Sequence, residues 1–302
     1  MKKLFLFLAI FFAVSEALAC ACGCGVMNVG TSSLIPNCEG GTAFLQFDDN
    51  NQTRNWHKNK ASTDANDDKN IHSKTATLGT QYMFNRSWGA AVRVPLMMRY
   101  VKTSSEHDGD SYAKHSNIGD IRLNGIYSGF SEDMSTGITF GLKLPTGQSN
   151  SNCFSRDTQI GTGSTDSILG AYHVGNFGKS SFGYFMQGSW ERPFIIHQGY
   201  NPGYEISAAT GVYYNAGELG VLKKISPILQ ITGAKRGQNT GFADLESNAN
   251  SGYTQIFLAP GIEVAFKEFK IYADVEFPIY RSVNGLQLVP QNIFKVILGY
   301  NF

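Results

Sequence analysis

Near its end the chain alternates. Phe294, Val296, Leu298, Tyr300 and Phe302 share one face, while Lys295, Gly299 and Asn301 lie on the other, with Ile297 the one apolar exception. A period of two is the pattern of an extended strand with one face in an apolar medium. It recurs at greater length in 88–100, where Trp88, Ala90, Val92, Val94, Leu96, Met98 and Tyr100 form an unbroken apolar face opposite Arg93 and Arg99. At about 3.3 Å per residue and a tilt of about 40°, that strand covers roughly 30 Å, the hydrocarbon thickness of a bilayer, with an aromatic residue at each end. A third case sets Phe269, Ile271, Ala273, Val275, Phe277 and Ile279 against Lys270, Tyr272, Asp274, Glu276 and Tyr280. Strands that are apolar outside, charged inside and long enough to span predict a barrel wall in lipid.

The amino-terminal stretch agrees. Lys2 and Lys3 precede an apolar run from Leu4 to Val14, and Ala17-Leu18-Ala19 is a small-x-small cleavage site. Residues 1–19 therefore read as an export signal, too short to span a membrane as a helix. Cleavage there would leave Cys20 first, which raises a lipoprotein alternative, although a lipobox wants a large aliphatic residue where Ala17 stands. No later run approaches about twenty apolar residues, so any spanning must use strands. Charge is balanced at +1, which argues against nucleic acid as a partner.

Weaker alternation places further strands near 42–48, 73–84, 117–129, 136–144, 165–175, 181–193, 204–214, 225–235 and 253–266. Short turns at Asn85-Arg86-Ser87, 131–134 and Lys267-Glu268 then alternate with long polar loops at 49–72, 102–116, 145–164 and 236–252. That alternation of connection lengths is the habit of outer-membrane barrels. The expected fold is all-β: a transmembrane antiparallel β-barrel of about twelve strands over 41–302, preceded by a Cys-rich periplasmic or plug segment over 20–40. The expected location is the bacterial outer membrane.

Four strands carry a charged residue two positions before proline: Arg93 with Pro95, Lys143 with Pro145, Glu191 with Pro193 and Glu276 with Pro278. Proline cannot donate to the ladder, so one reading is strand termination repeated by hairpin duplication. The other is a charged ring at one height, forming a constriction, with a lateral opening where pairing fails. The candidate pore-lining residues are Arg93, Arg99, Asp120, Arg122, Lys143, Glu191, Glu263, Asp274 and Glu276.

Three motifs follow in order: Ile118-Gly119-Asp120-Ile121-Arg122-Leu123, Gly141-Leu142-Lys143-Leu144-Pro145-Thr146-Gly147 and Gly161-Thr162-Gly163-Ser164-Thr165-Asp166. With them the chain resembles the outer-membrane family named for the MetA pathway of phenol degradation. The resemblance covers roughly 115–175 and implies a transporter-like barrel passing aromatic or apolar compounds. The ending also resembles the C-terminal signal of outer-membrane barrels, with Lys295, Tyr300 and Phe302 in place and Ile297 where glycine is usual. That signal implies the barrel-assembly machinery as a partner.

Cys20, Cys22 and Cys24 stand at alternate positions with Cys38 downstream. They could converge on one soft cation, zinc or Cu(I), or oxidise to disulfides that pin a plug. His115 and Ser116 are adjacent and so point to opposite faces of a strand, which removes them as a catalytic pair. An enzyme is not expected. Three functions remain open: a passive channel for small, hydrophobic or aromatic solutes, a metal-handling barrel whose thiols take copper or zinc, and a structural barrel without transport. Beyond that metal option no cofactor is implied, and the partners are membrane lipid and a small-molecule solute.

Overall fold

The computed structural model describes residues 34–302, apart from position 37 and the stretches 65–67, 106–108, 152–155, 157, 197–198, 219, 221 and 242–247. Along the chain run β1 (Gly40–Lys58), β2 (Lys60–Ala61), β3 (Asp68–Met83), β4 (Trp88–Ser105), β5 (Gly109–Ile118), β6 (Ile121–Tyr127), β7 (Thr136–Leu144) and β8 (Ser164–Asn176). There follow β9 (Phe182–Ile196), β10 (Tyr200–Asn201), β11 (Glu205–Tyr214), β12 (Lys224–Arg236), β13 (Thr240–Gly241), β14 (Tyr253–Phe266) and β15 (Phe269–Asn301). Eleven of these strands close into one antiparallel ring, in the order β1-β3-β4-β6-β7-β8-β9-β11-β12-β14-β15 and back to β1. β2 and β5 lie outside the ring on β1 and β4, and β10 pairs with β13 in a separate two-stranded sheet.

An antiparallel ring needs an even number of crossings, and β15 supplies the parity. Its residues 269–283 pair with β14 and its residues 283–301 with β1, while Lys295 reaches back to Glu276. The 33-residue element therefore reverses near Gly285, whose φ of +62° favours glycine. Alternation alone reads it as two separate strands. It is one bent element, which is why eleven elements stand where about twelve strands were expected.

Lipid-facing and lumen-facing residues alternate along the wall. Leu78, Trp88, Leu96, Ile271 and Phe294 are all at least half exposed on the outside. The short turns fall where the sequence puts them, and Asn85 caps one by accepting the backbone N–H groups of Ser87 and Trp88. In another, hydrogen bonds from Ser135 hold the Asp133 carboxyl below the usual carboxylate range. Two expected loops are largely strand instead. β1 runs on to Lys58 and β3 starts at Asp68, while β4 and β5 form a hairpin over 96–118. Their polarity reflects strands that continue beyond the lipid, where both faces are wet.

Inside, one row shows why small residues matter. Phe44, Gly79 and Arg93 are direct cross-strand partners on β1, β3 and β4. The Phe44 ring occupies the space a side chain at Gly79 would fill, and the Arg93 guanidinium lies 5.8 Å from the ring centroid. Gly79→Val should displace the ring and cost about 1–3 kcal/mol, as overpacking does. A fall in the urea midpoint of the micelle-embedded protein checks this, and an unchanged midpoint would mean the ring swings aside freely.

Candidate functional site: the barrel lumen

The row that begins at Phe44 and Gly79 continues round the wall as a charged belt. Arg93 faces Arg122, Arg122 faces Lys143, and Lys143 faces Asp166, on β4, β6, β7 and β8. Three cations side by side repel one another. Glu191 on β9 resolves the conflict: it accepts from Arg122 at 2.9 Å and from Lys143 at 2.9 Å, and Lys143 also pairs with Asp166. A second cluster sits on the far side of the lumen. Lys295 lies directly opposite Asp48 on β1 and donates to Glu276 at 2.7 Å. Asp274 stands beside them, accepting from the Tyr272 hydroxyl at 2.5 Å and from Gln230 at 2.9 Å.

Apolar side chains share the interior with these charges. Phe185, Phe257 and Tyr272 are almost completely buried and form one cluster with Leu34, Phe44 and Ile293. Ile35 packs against this cluster and also against a second one holding Met83, Ile126 and Tyr172. Residues 34–36 thus sit inside the barrel, and a cavity of about 90 Å³ remains between them and Arg93, Arg122 and Glu191. Among the described residues, these clusters and residues 34–36 occupy part of the lumen.

The three motifs quoted above meet in space. The strand that descends beside β4 is broken at Gly119-Asp120, between β5 and β6. Asp120 accepts from the Gly147 N–H, the Thr162 N–H and the Thr162 hydroxyl. Thr146 donates to the Gly119 carbonyl and accepts from the Ile121 N–H. The Gly147 and Gly161 backbones touch so closely that neither has room for a side chain. Arg99 then anchors the described part of the 145–163 segment from the lumen side, donating to the carbonyls of Thr158 at 2.7 Å and Gln159 at 2.9 Å. The described part of the segment expected as a long outer loop (145–164) therefore folds inward, because two buried charges supply the partners its backbone needs.

Each motif proline coincides with a fault in the ladder. Pro95 lies opposite the β5–β6 break, Pro145 follows the end of β7, Pro193 adjoins the register shift at Thr165/Asp166, and Pro278 adjoins the shift at Ile256/Phe257. Beyond Ile121 and Leu144, β5 has a strand partner on one side only among the described residues.

Arg99, Asp120, Lys143, Glu191, Glu263, Asp274 and Glu276 are buried inside the wall, and Arg93 and Arg122 are half-buried. Glu263 pairs with Lys224 at 3.0 Å. The expected ring of Arg93, Lys143, Glu191 and Glu276 is corrected: Lys143 and Glu191 join in one network with Arg122, Arg93 only neighbours Arg122 in the row and lies against Phe44, and Glu276 belongs to the Lys295 cluster. Tyr280 is also corrected. The bulge at Ile279 shifts the alternation by one, so Tyr280 turns outward, 48% exposed, and Arg281 turns in. Sequence reading left Asp48, Asp166 and Lys295 off the candidate list, although it set Lys295 on the polar face of the last strand, and Gln46, Asp48, Asn50 and Gln52 mark the polar face of β1 by alternation. It also missed the inward aromatics, which nothing in the pattern separates from lipid-facing ones.

His115 and Asn117 both donate toward the Gln148 side-chain oxygen, a structural use. Cys38 is an exposed free thiol. Cys20, Cys22 and Cys24 lie outside the described residues, as does the signal segment.

No family model matches the chain, and no curated protein matches it. Among solved structures it is similar to the COG4313 outer membrane channel from Pseudomonas putida F1, with a TM-score of 0.68 and 14% identity over 91% of this chain and 100% of that one. It is also similar to the beta domain of the Bordetella autotransporter BrkA, with a TM-score of 0.53 and 10% identity over 87% of this chain and all of that one. The shared fold and the apolar outer belt make this chain an outer-membrane β-barrel.

Proposed function

We propose that the barrel is a channel for small apolar or aromatic solutes, opened by movement of the parts that fill it. The observation that carries the reading is the interior itself. Phe185, Phe257 and Tyr272 turn inward as a buried apolar cluster, and Leu34 and Ile35 pack against it from within the lumen. Solute would enter past the inward-folded 145–163 segment or sideways through the wall beside the unpaired edge of β5. It would leave into the periplasm when residues 34–36 withdraw. The nine charged candidates then act as structure around the path: they hold the lumen residues in register and give the segment its docking points.

Liposome uptake tests this. Protein reconstituted into vesicles is expected to speed entry of toluene or phenol well above its effect on glucose. Removal of residues 20–36 should raise planar-bilayer conductance from near zero to discrete open levels. Equal acceleration of glucose and toluene, or no current after the removal, would defeat the reading.

A further inference from the structure

Where the arms of β15 meet the outer half of β1, the wall contains a second cavity, of about 440 Å³. Its origin is a concentration of pairing faults. Ile279 is the extra residue of a bulge against β14, the β1–β15 register shifts twice between Asn50 and Arg54, and Pro278 and Pro290 have no N–H to give. The cavity is lined from both sides of the wall. Phe277 and Ile279 are exposed toward lipid, whereas Arg281 is buried on the inner side.

Its chemistry is one-sided. Arg54 and Arg281 bring two guanidinium groups, and no aspartate or glutamate lines the cavity. Arg281 is already engaged, stacked 5.4 Å from the Trp56 ring centroid and bonded to the Pro290 and Gln291 carbonyls. Arg54 is exposed. The indole N–H of Trp56 is buried with no acceptor among the described residues, and a buried donor left unmatched is destabilising. An acceptor with negative charge would satisfy both Arg54 and Trp56, and a guanidinium suits a two-oxygen anion best. The remaining lining, Phe277, Pro278, Ile279 and Tyr280, offers an apolar bed continuous with the lipid face.

We infer that this cavity binds an amphipathic anion, a carboxylate carried on an apolar body, with the head at Arg54 and Trp56 and the body against Phe277 and Ile279. The volume falls in the range of small-molecule sites. The inference does not depend on transport, since binding is read on the protein at rest.

Trp56 is its own reporter. The chain has three tryptophans, and the other two, Trp88 and Trp190, are exposed on the outer wall and replaceable by phenylalanine. The Trp88→Phe/Trp190→Phe protein in lipid nanodiscs is titrated with ω-bromodecanoate, whose bromine quenches indole on contact. Saturable quenching is expected, reversed by decanoate at concentrations at least tenfold below those needed with decanol. Arg54→Gln, at an exposed position that should leave folding intact by heat-modifiability, is expected to weaken decanoate at least tenfold, about 1.4 kcal/mol, and to leave decanol unchanged. Equal competition by decanoate and decanol, or an unaltered decanoate affinity in Arg54→Gln, overturns the site. Tighter competition by decyl phosphate than by decanoate overturns the carboxylate assignment and gives the head position to a lipid phosphate.

Discussion

Replacing Lys295 with methionine is expected to destabilise the barrel by about 3–5 kcal/mol, the cost of stripping a buried charge of its partner. Lys295 and Glu276 are 3% and 1% exposed. Asp48 faces Lys295 across the β1–β15 pairing, and Asp274 completes a group of three carboxyls around one ammonium. Among the described residues no second cation pairs with this group. The contrast is Lys143→Met, where Arg122 still reaches Glu191 and the loss should be smaller. Urea unfolding from lipid vesicles, followed by tryptophan emission, measures both. Adding Glu276→Gln to Lys295→Met should recover a large part of the loss. If the double variant is no more stable than the single one, the ammonium contributes through packing and not through charge.

The second large effect is on permeation. Asp120→Ala removes three hydrogen bonds that tie Gly147 and Thr162 to the break between β5 and β6. At about 1 kcal/mol or more for each bond, the docked segment loses at least about 3 kcal/mol, a shift of roughly a hundredfold in its equilibrium. In the protein lacking residues 20–36, conductance and toluene uptake should both rise severalfold further with Asp120→Ala, and more with the Asp120→Ala/Arg99→Gln pair. If the released segment leaves permeation unchanged, the path runs elsewhere.

How much of this was legible beforehand follows from the physics of a strand. Alternation reveals faces, so the wall from Trp88 to Tyr100, the short turns and the inward direction of Arg93, Arg99 and Lys143 could all be read from the chain. It does not reveal pairing. That Arg93, Arg122, Lys143 and Asp166 form one row depends on register, which turns and bulges set jointly along the sheet. The inward fold of 145–163 depends on Asp120 and Arg99, remote in sequence from the carbonyls and N–H groups they satisfy. Tyr280 failed for a local reason: a one-residue bulge exchanges the two faces, and neither Pro278 nor Ile279 says on which side of the proline the extra residue falls.

The closure of the ring carries a consequence for biogenesis. Gly41 and Phe302 exchange two backbone hydrogen bonds, at 2.7 and 2.9 Å, and the Phe302 ring fills the space beside Gly41. Every other seam joins neighbours along the chain, so its hairpins can form as segments emerge. This seam has no local precursor, and the entropy of closing so long a loop must be met before any pairing offsets it. The first strand therefore waits with a naked edge until the last arrives, and a chaperone that shields that edge from other chains would govern the yield of folded barrel more than any contact within the finished wall.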